Sequence, residues 1–347
     1  MTRAGKRAGA LLCALGMLLA AGAGAEQPLL NTLDKAIAWV EEHHPAELDL
    51  GTVRMKPADL YIIKQRMGEG AVLHFTTRWQ DTIFSDTDTA LDLKPVSYVL
   101  SGEELEHLIE LVPGVRSIDV SGSRAPGNKV MIPLVEKYPE IEFNWIIRLN
   151  SGHAVKSGST AYSSFNDPTN KSLVRMASKD LEVLKYARGL KALDLGHNEI
   201  TSLDFLKDFP DLELLILGDN PIEDIGILGT MKHLKYLELF SVKISDASPL
   251  ANCTELLDLN LSYCRQVTDL SSLAGLKDLE RFWGTHMDGV SEAQQSAFKT
   301  AHPAAEIRFD AKHATSDGWR EHPRYDHYIW CLKHFQWIPF EEPLPGK

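Results

Sequence analysis

Leu190-Lys-Ala-Leu193-Asp-Leu195-Gly-His-Asn198-Glu-Ile200 recurs as Leu212-Glu-Leu-Leu215-Ile-Leu217-Gly-Asp-Asn220-Pro-Ile222. It returns as Leu234, Leu237, Leu239, Val242, Ile244, and again as Leu256, Leu259, Leu261, Cys264, Val267. The first leucines are 22 residues apart each time. A fixed period of this length means that one short supersecondary unit is repeated and stacked. No single unit can bury its own apolar residues, so the stack shares one continuous core.

The pattern is L-x-x-L-x-L-x-x-N/C-x-L, the leucine-rich repeat. Each L-x-L stretch predicts a short strand with leucines inward and the intervening residues outward, on the concave side. The rest of each turn falls into further apolar columns: Ile200, Ile222, Ile244, Val267; Leu203, Ile225, Ala247, Leu270; Leu206, Leu228, Leu250, Leu273. Ser202, Asp224, Asp246 and Asp269 share one turn position, where a short polar side chain can bond nearby backbone N–H groups. Asn198 and Asn220 can satisfy buried backbone between coils, and Val242 cannot. Cys264 falls in the asparagine column and Cys253 in that of Phe209, Met231 and Leu276, so both read as small core hydrophobes.

A fifth repeat, Leu279-Glu-Arg-Phe282-Trp-Gly284, leaves the pattern. Ser291-Glu-Ala-Gln294 is a capping box predicting a helix to about His302, and Ala305 to Phe309 reads as a strand. The N-terminal half carries a longer repeat. Glu47-Leu-Asp-Leu50 resembles Ser117-Ile-Asp-Val120 at an offset of 70, and Val72 to Phe75 matches Glu142 to Trp145 at the same offset. Thr89-Ala-Leu91 matches Thr160-Ala-Tyr162 at 71. Each unit predicts strand, helix and second strand, with helices at Pro57 to Met67 and Asn128 to Tyr138. Ser101-Gly-Glu-Glu104 caps another helix ending near Val112. Leu33 to His43 predicts an amphipathic helix closing the N-terminal end. Asn166 to Asn170 reads as a loop, and Ser172 to Gly189 as helical. The expected organisation is a signal peptide over 1–25, a capping helix over 26–45, irregular elongated units over 46–170, regular repeats over 171–290, and a C-terminal cap and tail over 291–347. A separate α/β domain is the alternative for the N-terminal half. The fold class is α/β, a curved solenoid with short parallel strands on its concave face and a helical, aromatic C-terminal cap.

The first residues predict export. Arg3, Lys6 and Arg7 precede the short apolar run Leu11 to Ala21, and Ala23-Gly-Ala25 is a small-residue cleavage site, which puts the mature start at Glu26. An uncleaved N-terminal anchor is the alternative. The expected localisation is secreted or extracytoplasmic, with no membrane insertion of the mature chain. The 347 residues carry 36 basic and 48 acidic side chains, a net of −12. That balance argues against nucleic acid or an anionic membrane as partner, since both need a basic patch.

The outward strand positions are the candidate site. Their central column reads Asp49, Asp119, Asp194, Ile216, Glu238, Asn260, Trp283. Leu214, Tyr236, Phe240, Tyr263 and His286 stand beside it. Aromatics aligned over neighbouring coils of a concave face predict a partner-binding surface made of Leu214, Ile216, Tyr236, Glu238, Phe240, Tyr263, Trp283 and His286. Asp49, Asp119 and Asp194 are too many coils apart to share a proton or a metal. In the tail, His327, Cys331 and His334 share one helix face, a spacing zinc accepts, but Tyr328, Ile329, Trp330, Leu332 and Phe335 around them suit a packed cap. No phosphate loop, G-x-S-x-G elbow or H-E-x-x-H helix occurs, which leaves no positive reason to expect a cofactor, a metal or a catalytic residue; a metal-dependent enzyme using the tail is the alternative.

The turn pattern Asn198-Glu-Ile200-Thr-Ser202 and Asn220-Pro-Ile222-Glu-Asp224, with the 22-residue period, resembles the internalin-type leucine-rich repeats of bacterial surface and secreted proteins. The resemblance implies recognition of a protein or peptide on the concave face, without catalysis. The same aromatics would also suit a glycan or cell-wall ligand. The chain ends Pro343-Leu-Pro-Gly-Lys347 and has no L-P-x-T-G anchor, a departure from the pattern of wall-attached relatives.

Overall fold

A computed structural model describes residues 28–150, 152–165 and 174–345. The expected signal peptide and the Asn166 to Asn170 loop lie outside the described residues. The described residues form fifteen strands and six α-helices, and their order explains the two repeat lengths. Helix α1 (Leu33–His43) leads to β1 (Glu47–Val53), α2 (Pro57–Met67), β2 (Val72–Trp79) and β3 (Thr82–Ser85). Then follow β4 (Ala90–Asp92), α3 (Gly102–Leu111), β5 (Ser117–Asp119), α4 (Asn128–Lys137) and β6 (Glu142–Asn144). The hairpin β7 (Ile146–Arg148) and β8 (Ala154–Lys156) precedes β9 (Ala161–Ser163). The regular coils contribute β10 (Ala192–Asp194), β11 (Leu214–Ile216), β12 (Tyr236–Glu238), β13 (Asp258–Asn260) and β14 (Arg281–Trp283). Helix α5 (Glu292–Ala301), β15 (Glu306–Arg308) and α6 (Pro323–His334) end the chain.

Strands β9 to β15 form one parallel sheet in sequence order, each strand pairing its neighbour in matched register, as Leu193 with Leu215 and Leu237 with Leu259. The leucines of the L-x-L pattern are fully buried, together with the turn columns at Ile200, Ile222, Ile244 and Val267. This is a leucine-rich repeat solenoid with α/β coils. The opposite wall of each regular coil is a short 3₁₀ helix, at Asp204–Asp208, Gly226–Thr230, Ser248–Asn252 and Ser271–Gly275. The turn residues do the work expected of them. Asp224, Asp246 and Asp269 each accept the backbone N–H two residues on, and Ser202 does the same, at 2.7–3.2 Å. Those bonds satisfy N–H groups that open the 3₁₀ turns.

The asparagine ladder holds where asparagine is present. Asn220 accepts from Ile200 N–H at 3.0 Å and donates to Leu195 O and Leu217 O at 2.9 Å. Asn198 accepts from Met176 N–H and donates to Leu195 O. Cys264 takes over part of that role, its thiol donating to Leu239 O at 3.2 Å, and Cys253 donates to Leu228 O at 3.1 Å. Burial pushes both thiols up to about 12, consistent with small core residues.

The N-terminal units are richer than strand, helix, strand. Each adds an antiparallel hairpin segment, β2 with β3 in the first and β7 with β8 in the second. The hairpins interrupt the sheet, leaving β1-β2-β3 and β4-β5-β6 as separate three-stranded pieces. Helices α1 to α4 nevertheless pack successively against one another along the convex wall. One core cluster runs from Leu30 to Phe298, through the long units and the regular repeats alike. The capping boxes predicted at Ser101 and Ser291 are both formed. The stretch expected to be helical over 172–189 is, within its described part, a 3₁₀ helix at Ser178–Tyr186.

Candidate functional site

The outward faces of β11 to β14 are not open. The tail was expected to close the end of the stack. Instead, residues 311–344 run back across the concave face and bury it. Leu214, Tyr236 and Trp283, with Ile216, form a second apolar cluster with Trp319, Tyr328, Cys331, Leu332, Trp337 and Ile338 of the tail. The Tyr236 ring lies 4.9 Å from Tyr328 and 5.5 Å from Trp319, and Trp283 lies 5.2 Å from Trp319. Leu214, Tyr236, Glu238 and Trp283 have no exposed surface. As an open docking face these four are therefore corrected: their outward side chains are spent on the chain's own tail. The physical reason was visible in β11, where Leu214, Leu215 and Ile216 are apolar without alternation. A strand apolar on both faces is one that is covered on both faces.

Polar outward residues hold the tail's backbone. Asn260 Nδ2 donates to Ala314 O at 2.7 Å, Trp283 Nε1 to Ser316 O at 3.0 Å, and Thr285 Oγ1 to Ala311 O at 2.6 Å. Arg281 Nη1 donates to Trp319 O at 3.0 Å, and its guanidinium stacks 4.6 Å from the Trp319 ring. Arg281 Nε also donates to the fully buried Asp258 at 2.6 Å. The Arg324 guanidinium stands 2.9 Å from Asp258 Oδ2, an ion pair out of line for a hydrogen bond. Farther along, Trp337 N–H donates to Thr160 Oγ1 at 2.7 Å, and Lys235 Nζ pairs with Glu341 at 3.0 Å.

Of the zinc-type spacing in α6, only Cys331 joins the cluster against the sheet, and both histidines bond within the tail. Cys331 is buried, His327 Nε2 bonds Ile338 O at 2.8 Å, and His334 Nδ1 bonds Trp330 O at 2.7 Å. The acidic column also has a structural duty. Asp49, Asp119 and Asp194 each accept the N–H two residues on, at Gly51, Ser121 and Gly196; this ends β5 and β10 at Asp119 and Asp194, and in β1 it coincides with a register shift between Asp49 and Thr52.

Two features remain accessible. The first is a line of side chains beside the covered face, exposed at four positions and half-buried at Tyr263. His197, Asp219, Ser241, Tyr263 and His286 occupy equivalent places in five coils, and all have φ between 55° and 64°. Left-handed backbone costs a non-glycine residue about 1–2 kcal/mol; here the residue directly after it enters the asparagine column of the ladder. His197 Nδ1 lies 2.8 Å from Asp219 Oδ2, and the Tyr263 and His286 rings lie 4.7 Å apart. Only Tyr263 and His286 of this line were among the expected site residues. The signal for the others was their shared register two residues beyond the last leucine of each strand.

The second is a cavity of about 270 Å³ between the sheet and α6. Asp194, Gly196, His197, Ile216, Glu238 and Phe240 line it from the coils; Arg320, Tyr325, Tyr328, Ile329 and Lys333 line it from the tail. Ile216 and Phe240, both expected at the site, belong here. Phe240 lies flat against Gly218, where a Cβ would come within 2.3 Å of the ring. Glu238 Oε1 accepts from Tyr236 OH at 2.5 Å and from Trp319 Nε1 at 2.9 Å. Glu238 Oε2 has no hydrogen-bond partner among the described residues. Asp194 accepts from Ser163 Oγ at 2.7 Å. Burial pushes both carboxyls above their ordinary values, and burial with the Glu238 charge pushes the Tyr236 and Tyr328 hydroxyls well up. The tail residues of this cavity were missed because the tail was read as an end cap.

Residues 188–230 match the family model described as Leucine Rich repeats (2 copies). A comparison with curated proteins gave no match. Among solved structures, the chain is similar to an internalin (inlF) from Listeria monocytogenes at 23% identity and TM-score 0.32, covering 45% of this chain and 49% of that one. It is similar to an internalin C2 (inlC2) from the same organism at 24% identity and TM-score 0.33, covering 44% and 74%. A leucine-rich repeat protein of Leptospira interrogans gives 16% identity and TM-score 0.35 over 76% and 89%. The chain thus spans about half the length of the first internalin. The repeat register and the seven-stranded parallel sheet give the chain a leucine-rich repeat fold, and residues 188–230 of it match the family model.

Proposed function

We propose that this chain is an extracytoplasmic, non-catalytic binding protein that takes a protein or peptide partner along the line His197, Asp219, Ser241, Tyr263 and His286, of which all but the half-buried Tyr263 are exposed. The observation that carries this reading is the alignment of those five side chains over consecutive coils, beside the apolar area that the tail covers and meeting the tail's cavity only at His197. Such a line offers an aromatic pair at one end and a His–Asp pair at the other on a rigid scaffold. Both side chains of the His–Asp pair are about half exposed, 52% and 53%. Aromatic anchors beside polar groups are the composition that concentrates binding energy. Leu214, Tyr236, Glu238 and Trp283 contribute indirectly, by fixing the tail that borders the line.

Crosslinking capture from the native extracellular medium tests the reading, with the parent chain and a Tyr263→Ala/His286→Ala double variant as baits. A partner recovered by the parent and lost by the variant is expected, with both baits showing the same circular dichroism. Equal recovery by both would refute the assignment of the line. Retention of wall polysaccharides on a glycan array, with no protein captured, would move the reading to a carbohydrate ligand.

A further inference from the structure

The cavity between the sheet and α6 has a chemistry that the partner line does not use. Its floor holds two acidic side chains, Asp194 and Glu238. Glu238 is fully buried, and its Oε2 is left without a donor. An unmatched buried carboxylate oxygen costs about 1–3 kcal/mol or more, so such an atom is kept only where something supplies the donor. Arg320 acts on Glu238 only at a distance, with no hydrogen bond or ion pair between them among the described residues, and its residue is exposed at the rim. Lys333 is exposed at the same rim. Between floor and rim the walls are apolar and aromatic: Ile216, Phe240, Tyr325 and Ile329. The volume lies just below the range of about 300–1,000 Å³ usual for drug-sized ligands.

We infer that this cavity binds a small zwitterion, an α-amino acid with an apolar or aromatic side chain. The ammonium group donates to Glu238 Oε2 and faces Asp194. The carboxylate turns outward to Arg320 and Lys333. The side chain lies against Phe240, Tyr325 and Ile329. Acid on the floor and base at the rim set the orientation, and neither a simple amine nor a simple acid satisfies both ends. The site exists because the tail docks: the coils supply the acidic half and the tail supplies the basic one.

Isothermal titration of the full chain with L-phenylalanine tests this, alongside L-phenylalaninamide, which lacks the carboxylate, and 3-phenylpropionate, which lacks the ammonium. Binding of L-phenylalanine at about 1 mM or tighter is expected, with each analogue at least about tenfold weaker. Arg320→Ala, at an exposed position, with circular dichroism matching the parent, is expected to weaken L-phenylalanine about tenfold, and Glu238→Gln by at least as much. No heat from L-phenylalanine at about ten times that concentration would overturn the inference, as would unchanged affinity in Arg320→Ala, or an amide that binds as well as the amino acid. None of these outcomes bears on capture by the Tyr263 and His286 line, so the two readings fail separately.

Discussion

Trp319→Ala removes a fully buried side chain that pins the docked tail to β12 and β14. The indole is fully buried, 5.5 Å from Tyr236 and 5.2 Å from Trp283, under the Arg281 guanidinium at 4.6 Å, with its N–H on Glu238 at 2.9 Å. Truncating a buried Trp to Ala costs about 3–5 kcal/mol in lost transfer energy and residual cavity. The missing donor leaves buried Glu238 shorter of partners still, for about another 1–3 kcal/mol. These contributions overlap, and the observable loss cannot exceed the free energy that docks the tail. A loss of at least about 3 kcal/mol from docking is therefore expected, which is roughly a hundredfold in the opening equilibrium. Native-state hydrogen exchange reads that opening directly. Amides of α6 and the Trp337 amide, bonded to Thr160 Oγ1, should exchange roughly a hundredfold faster in the variant. Amides inside the coils, such as Leu195 N–H on Ile216 O, should be unchanged because their bonds join adjacent coils and not the tail. Protection in α6 that stays within about threefold of the parent would refute the reasoning, because the indole would then not be pinning the tail. Equal loss in α6 and in the coils would refute it differently, by showing one cooperative unit.

Asn220→Ala should lower unfolding free energy by about 2–4 kcal/mol in a urea titration, since Ile200 N–H, Leu195 O and Leu217 O all lose a partner inside the core; a change below about 0.5 kcal/mol would mean that the ladder is not formed. Gly218→Ala forces a methyl against the Phe240 ring and should cost about 1–3 kcal/mol, recovered in large part when Phe240→Ala is added. A penalty that Phe240→Ala does not relieve would place the ring elsewhere. Glu238 has its carboxyl pushed up from 4.5 by burial, so the folded state holds its proton more tightly than the unfolded chain does. Its contribution to stability is full below the unfolded value and is lost as pH rises through the folded one. Stability of the parent relative to Glu238→Gln should accordingly fall as pH rises from about 4.5 to neutrality; a parent that gains on the variant over that interval would reverse the sign.

The coils were legible in the sequence because a 22-residue period writes the same residue into the same place several times. Leu193, Leu215, Leu237 and Leu259 could be assigned inward from register alone, and so could the capping duties of Asp224, Asp246 and Asp269. The long units were half legible: their 70-residue offset placed β1, β5, β2 and β6, but the β3 and β7–β8 hairpins leave no periodic trace. The candidate site was the least legible. Register gives the direction in which Tyr236 and Trp283 point, yet it carries no information on what lies there. Contacts such as Tyr236 with Tyr328 join residues 92 apart in the chain, and no local pattern encodes such a pairing. The one clue was compositional, an outward column too apolar for solvent facing a tail too aromatic for a simple end.

Zero-length carbodiimide crosslinking with peptide mapping tests the central claim that the tail lies across the inner curve. Lys235 Nζ stands 3.0 Å from Glu341 of the tail and 3.3 Å from Glu213 of the adjacent coil. The account predicts both products, Lys235–Glu341 and Lys235–Glu213, in the folded monomer. Recovery of the Lys235–Glu213 link without the Lys235–Glu341 link would contradict it, leaving the coils intact and the tail elsewhere.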